Sequence, residues 1–315
     1  MGVAVKEWPA LPYEAWHETR DTLHMYTQIL GKFRLELSPA ELEWANVPFY
    51  VTARGLTTSA VPTGDRTFDA EFDLVDHELV IRNSVGGKES IRLQPRAVAD
   101  FYRIVVDTLA RLGVDAAISA TPSEVSDPIP FAEDRTHASY DRDWANRFFQ
   151  VLSHVDAGLK QHRARFLGRT SPVHFFWGTF DLVVTRFSGR PATPPADAGV
   201  IFRRSADAEQ ICAGFWPGHA QFPRPAFFAY VYPKPNGLED APVEPAEAGW
   251  DKELGEFILP YDAVRSAADP RRAIRGFLDS TYKACASVGG WPKDLVPEEA
   301  TWLGRSARTS TRSPT

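Results

Sequence analysis

A chain of 315 residues with 43% hydrophobic and 24% charged side chains has globular composition and is long enough for one large domain or two ordinary ones. Its 35 basic and 41 acidic groups leave a net charge of −6 with no block of like charge, so it lacks the electrostatic footprint of a nucleic-acid binder. No apolar run approaches a bilayer-crossing length and the start, Met1 to Trp8, lacks the features of a signal peptide, so no membrane partner and a cytoplasmic location are expected.

In chain order, an aromatic, Pro-rich lead-in at Trp8 to Pro12 is followed by Trp16, Leu23, Tyr26 and Leu30 at helical spacing. This predicts an amphipathic helix over 13–30, stopped at Gly31. Gly31 to Leu37 alternates as a strand, and Val47 to Thr58 reads as another. Strands over 67–74, 79–82 and 90–93 make an antiparallel meander, with turns at 75–78 and Gly86-Gly87. Pro95 opens a helix whose core stripe is Val98, Phe101, Tyr102, Val105 and Leu109, capped by Gly113. Val114 to Ile118 reads as a short strand, and a Pro- and acid-rich connector occupies 121–139.

Tyr140 to Leu167 is predicted as the longest helix, with Trp144, Phe148, Val151, Val155 and Leu159 on one face. Pro172 to Arg190 is dense in aromatic and β-branched residues and reads as one long central strand. Alternation along it would set His174, Phe176, Gly178, Phe180, Leu182, Val184 and Arg186 on a single face. Residues 190–208 and 234–249 read as exposed loops, and 211–218, 226–232 and 256–259 as strands. A last helix after Asp269-Pro270 carries Ile274, Phe277, Leu278 and Tyr282, and residues 304–315 should be a disordered tail.

The fold class is therefore α+β, with antiparallel sheets and packed helices. Both halves run in the order helix, strands, helix, which suggests two degenerate repeats of a helix–meander–helix unit, at 1–120 and 140–303. Shared strand chemistry alone would produce the same likeness. A junction between two such units favours a ligand pocket.

The runs Val51 to Thr58, Asp134 to Asp141, His174-Phe175-Phe176-Trp177-Gly178 and Gly214-Phe215-Trp216-Pro217-Gly218 together resemble a bacterial family catalogued only as a domain of unknown function, number five-nine-nine-six. The resemblance spans Trp8 to about Trp291. It implies a cytosolic bacterial protein made of this single unit and carries over no activity and no catalytic role.

Chemistry must then come from residues. The P-loop, dinucleotide-binding, zincin and nucleophile-elbow signatures are all absent. Cys212 and Cys285 lie far apart and outside any Cys-x-x-Cys run, so they suggest neither a disulfide framework nor a thiolate zinc site. What remains is a set of polar groups in apolar settings. His174 begins the aromatic strand, where an imidazole needs a partner. His137, between Asp134 and Asp141, is either a general base oriented by a neighbouring carboxylate or a member of a helix-capping network. His174, His137 and Asp141 are thus the candidate acid/base groups. Arg54 and Arg186 occupy matching places in the two halves and could clamp an anion, or could each be engaged in structural ion pairs with nearby aspartates. Trp177, Phe176 and Trp216 would line the pocket.

On the first helix, His17, Asp21, His24 and Gln28 share a face that is either a metal-ligand stripe or simply the solvated side. The leading expectation is a small-molecule-binding protein or enzyme whose aromatic pocket takes a flat ligand bearing an acid group. The alternatives are a metal-dependent enzyme gathering His24, His137 and His174, and a non-catalytic scaffold or partner-binding protein.

Overall fold

Every residue from Thr22 to Arg34 is buried, so the helix that carries them, α1 (Tyr13–Leu37), is an interior helix rather than an amphipathic one. The computed structural model of the protein describes residues 8–296. The expected tail at 304–315 and the end of the second unit lie outside the described residues.

The strand expected at Gly31 to Leu37 is instead the last two turns of α1. Gly31 does not stop the helix, because the missing side chain is the seat of an aromatic ring. A Cβ there would fall inside the Trp177 indole. Polar residues on α1 are tolerated because each finds a partner. Gln28 donates to the Ser123 carbonyl at 2.7 Å and accepts from the Ser123 amide at 2.8 Å. Lys32 reaches the Ser123 hydroxyl at 2.6 Å, and Arg34 donates to the Thr58 carbonyl.

The first sheet is a meander of short and medium strands: β1 (Tyr50–Val51), β2 (Gly55–Thr57), β3 (Val61–Thr63), β4 (Arg66–Asp73), β5 (Glu78–Asn83) and β6 (Lys88–Arg92). Its order is β1-β2-β4-β5-β6 with β3 also on β4, and every pairing is antiparallel. The single strand expected over 47–58 is thus a small hairpin, turned at 52–54. Helix α2 (Val98–Arg111) follows it, with Val98, Phe101, Val105 and Leu109 buried as the spacing dictates. No strand forms at 114–118, and an irregular segment leads to α3 (Arg142–Ala164). With 23 residues α3 is shorter than the 25-residue α1.

The second sheet comprises β7 (His174–Phe176), β8 (Asp181–Pro191), β9 (Ala208–Trp216), β10 (Ala226–Tyr232), β11 (Gly249–Asp251) and β12 (Glu256–Pro260). Its order is β11-β12-β10-β9-β8-β7, antiparallel throughout. A six-residue helix, α4 (Val200–Ser205), occupies the loop expected at 190–208, and α5 (Tyr261–Ser266) and α6 (Pro270–Val288) close the described chain.

The two sheets meet edge to edge. Phe49, just before β1, exchanges both backbone hydrogen bonds with Phe175 of β7, each at 2.9 Å. One face of the second sheet, with Leu182, Val184, Ile211, Ala213, Phe215 and Phe227, belongs to the main core, which also takes in α3 and α6. The opposite face carries a separate apolar cluster of Val183, Cys212, Phe222, Ala226, Phe228 and Ile258.

Candidate functional site

The long strand expected over Pro172 to Arg190 is broken at its centre. Residues 177–180 form a turn, with Phe180 in the left-handed region at φ 62°, and β7 folds back on β8. The register pairs His174 with Val183, Phe175 with Leu182 and Phe176 with Asp181. Paired residues share a face, so His174 and Phe176 lie with Asp181, Val183 and Thr185, while Arg186 lies with Phe175, Leu182 and Val184. The turn therefore reverses the parity that simple alternation implies, and Arg186 points into the helices.

On the Asp181 face there is a cavity of about 430 Å³. Its floor is the sheet: Phe176, Asp181, Val183 and Thr185, then Gln210 and Cys212, then Phe228 and Tyr230. Gly214, paired with Val183 and Phe228, lets the Phe228 ring lie across β9, since a Cβ would come within 2.6 Å of that ring. Trp177 forms a wall, fixed by an Nε1 bond of 2.9 Å to the Val47 carbonyl. The roof is α4 with the turn at Leu42–Trp44, joined by a 2.9 Å bond from Trp44 Nε1 to the Ile201 carbonyl. Leu42, Val200, Ile201 and Phe202 leave substantial apolar surface exposed at this rim.

The cavity's polar character is acidic. Asp181 is buried, and among the described residues its only side-chain partner is the Thr179 hydroxyl, which donates to it. Burial, reinforced by the charge of Glu124, pushes its carboxyl up to about 7. Glu124 and Glu43, which also line the space, are raised by burial as well, Glu43 while paired with Arg169. Glu256, at the start of β12, is pushed up to about 7 by burial and by Asp181, and its Oε2 has no partner among the described residues. Burial pushes the Cys212 thiol up to about 11, so it is an inert wall rather than a nucleophile.

Backbone strain concentrates at the same place. Among the described residues six non-glycines have positive φ, and three of them, Glu43, Trp44 and Glu124, line this cavity. Side chains rarely adopt such conformations unless their surroundings hold them there, and they gather at functional sites.

The residues singled out from sequence do not converge. Of the expected pocket wall, Trp177 and Phe176 line the cavity, whereas Trp216 stacks on the far side of Phe228, at 4.7 Å. Arg54 and Arg186 do not form a clamp. Arg54 is paired with Asp73 and Asp76 at the β1–β2 turn. Arg186 is buried between the Phe166 and Tyr282 rings, 4.9 and 4.6 Å from their centroids, and donates to the His162 carbonyl.

His174 packs against Tyr50 and Phe176, its Nδ1 has no partner among the described residues, and burial lowers its pKa to about 4. His137 bonds the buried Asp134 at 2.7 Å, and Asp134 also accepts the amides of Thr136 and His137, so both residues belong to a turn-stabilising network. Asp141 is the N-cap of α3, accepting the Trp144 amide at 3.0 Å. The stripe on α1 divides: His17 and Asp21 are partly exposed, whereas His24 and Gln28 are buried, His24 lying 3.0 Å from the carbonyls of both Trp177 and Gly178. No three His, Cys, Asp or Glu side chains among the described residues are grouped to hold a metal ion.

Sequence reasoning passed over Glu124, Trp44 and Tyr230, and it singled out Asp181 only as a polar interruption of the strand, with a partner or a pocket beside it, and gave it no site role. Asp181 in an aromatic run was the signal available, since a carboxylate there has to be neutral or partnered.

These features define an antiparallel α+β protein with an acidic, aromatic cavity on the face of one sheet turned away from α3 and α6. Residues 8–298 match the family described as a family of unknown function, DUF5996, and the chain belongs to it. No curated protein and no solved structure matches the chain. No helix among the described residues is long and apolar enough to cross a membrane.

Proposed function

We propose that this protein binds a small, flat, partly apolar molecule in the cavity between Trp177, Phe228 and the α4 roof, and that Asp181 reads the ligand's polar group. The supporting observation is Asp181 itself, a buried carboxyl at the cavity floor with one hydroxyl partner and spare hydrogen-bonding capacity. The surrounding acids favour a ligand with a donor or cationic group over the acid-bearing ligand that an arginine clamp would select.

The two halves, each a long helix, a six-stranded antiparallel sheet and a further helix, are consistent with descent from one duplicated unit, with the cavity's floor on the second copy's sheet and part of its roof from the first. A carboxyl poised near neutrality also suits proton transfer, so the same geometry is compatible with an enzyme using Asp181 as acid or base.

A thermal-shift and calorimetric screen with flat aromatic amidines and amines, benzamidine among them, against benzoate tests the reading. The cations should raise the melting temperature and benzoate should not. Binding should tighten about tenfold per pH unit as pH rises toward 7 and level off above, because the cation selects the ionised carboxylate. Asp181→Asn should weaken it about tenfold or more. Equal binding of benzoate, or cation binding indifferent to Asp181→Asn, would end the proposal.

A further inference from the structure

On the other face of the second sheet, between α3 and α6, lies a separate cavity of about 590 Å³. Its charged lining is Arg165 from α3, Arg271 and Arg275 from consecutive turns of α6, and Asp279 one turn further on. Arg165 is held by Asp279 at 2.7 Å. Arg271 and Arg275 have no ion-pair partner among the described residues, although the chain as a whole carries a net charge of −6. Three guanidiniums against one carboxylate leave a surplus of two positive charges. Arg186, buried behind the His162 carbonyl that it binds, strengthens the same field.

The wall of this cavity joins a buried imidazole to apolar side chains. His162, only 5% exposed, lines it, and its buried Nδ1 has no hydrogen-bond partner among the described residues, since the nearest Asp279 oxygen, at 3.7 Å, is too far. Gly158 lets α3 close on Ile274, which a Cβ would meet at 3.2 Å. Ile274, Leu278 and Ala157 supply an apolar floor.

We propose that this groove is a binding site for a phosphomonoester: the dianionic phosphate spans Arg271 and Arg275 and reaches Arg165, and a short apolar remainder lies on Ile274 and Leu278. A surplus of two charges matches a dianion, and planar guanidiniums bind phosphate oxygens bidentately. The site does not depend on the Asp181 cavity, which occupies the opposite face of the sheet.

Calorimetry of the full chain with inorganic phosphate and with phenyl phosphate at constant ionic strength tests it. Both should bind saturably, phenyl phosphate the more tightly. Arg271→Ala and Arg275→Ala, both at exposed positions, should each weaken binding about tenfold without lowering the melting temperature. Asp279→Asn should tighten binding, because it frees Arg165 and raises the surplus charge, an effect that a structural role would not produce. Absence of saturable binding, equal affinity across the three variants, or exclusion of phenyl phosphate while inorganic phosphate binds would overturn the assignment.

Discussion

At the scale of single residues, the protein holds buried acids and buried imidazoles whose titrations oppose each other. The Asp181 carboxyl, near 4 in an unfolded chain, is raised to about 7 by burial. The folded state therefore binds its proton more tightly, and the stability this confers is complete below about pH 4 and lost as pH rises through 7. His174 and His162 behave oppositely. Burial lowers both to about 4, so each weakens the fold as pH falls from about 6.5, where the unfolded chain takes up a proton that the folded one refuses. Comparing wild type with Asp181→Asn cancels the histidines, which both chains keep. Between pH 5 and pH 8 the stability difference should move in favour of the variant by on the order of 3 kcal/mol. Urea denaturation at the two pH values measures it, and a constant difference would show that Asp181 is not a neutral acid in the fold.

At the scale of elements, the strongly patterned segments were readable and the exceptions have local causes. β10 runs from Ala226 to Tyr232 as its aromatic run between two prolines dictates, and α6 starts at Pro270 behind its Asp269 cap, which accepts the Arg272 amide. The end of α1 was misread because glycine is an ordinary stop signal, whereas Gly31 sits under an indole from residues far along the chain. Gly31→Ala should gain about 1 kcal/mol of helix propensity and lose about 1–3 kcal/mol to overpacking. Overpacking should win, because Trp177 is pinned at Nε1 and has nowhere to retreat. A lowered melting temperature, with weaker ligand binding as the cavity wall shifts, is the expected result, and a rise in melting temperature would refute this account of the glycine. The hairpin at 177–180 escaped detection for a different reason. Within 177–180 Gly178 was the one turn signal, set among aromatic and β-branched residues that favour strands, and Phe180 holds its left-handed conformation within a ring cluster, 5.2 Å from Phe148 and 5.2 Å from Phe175.

At the scale of the whole molecule, the connector at 121–139 does not separate two independent bodies. Helix α1, from the first half, is bonded to Ser123, Trp177 and Gly178, and the two sheets share the Phe49–Phe175 bridge. Unfolding by denaturant should therefore be one cooperative transition, followed equally by tryptophan fluorescence and by circular dichroism. Two resolved transitions would mean that the halves are separate folding units.

Composition and periodicity by themselves determined the α+β class, the antiparallel meanders and the aromatic character of the region around Trp177, because those follow from local spacing and from which side chains leave water. Only the tertiary structure decided which polar groups meet. Whether Asp181 or Arg186 faces a cavity depends on one turn that reverses strand parity, and the partners of His24, Arg54 and His137 are fixed by long-range packing that no run of neighbouring residues encodes.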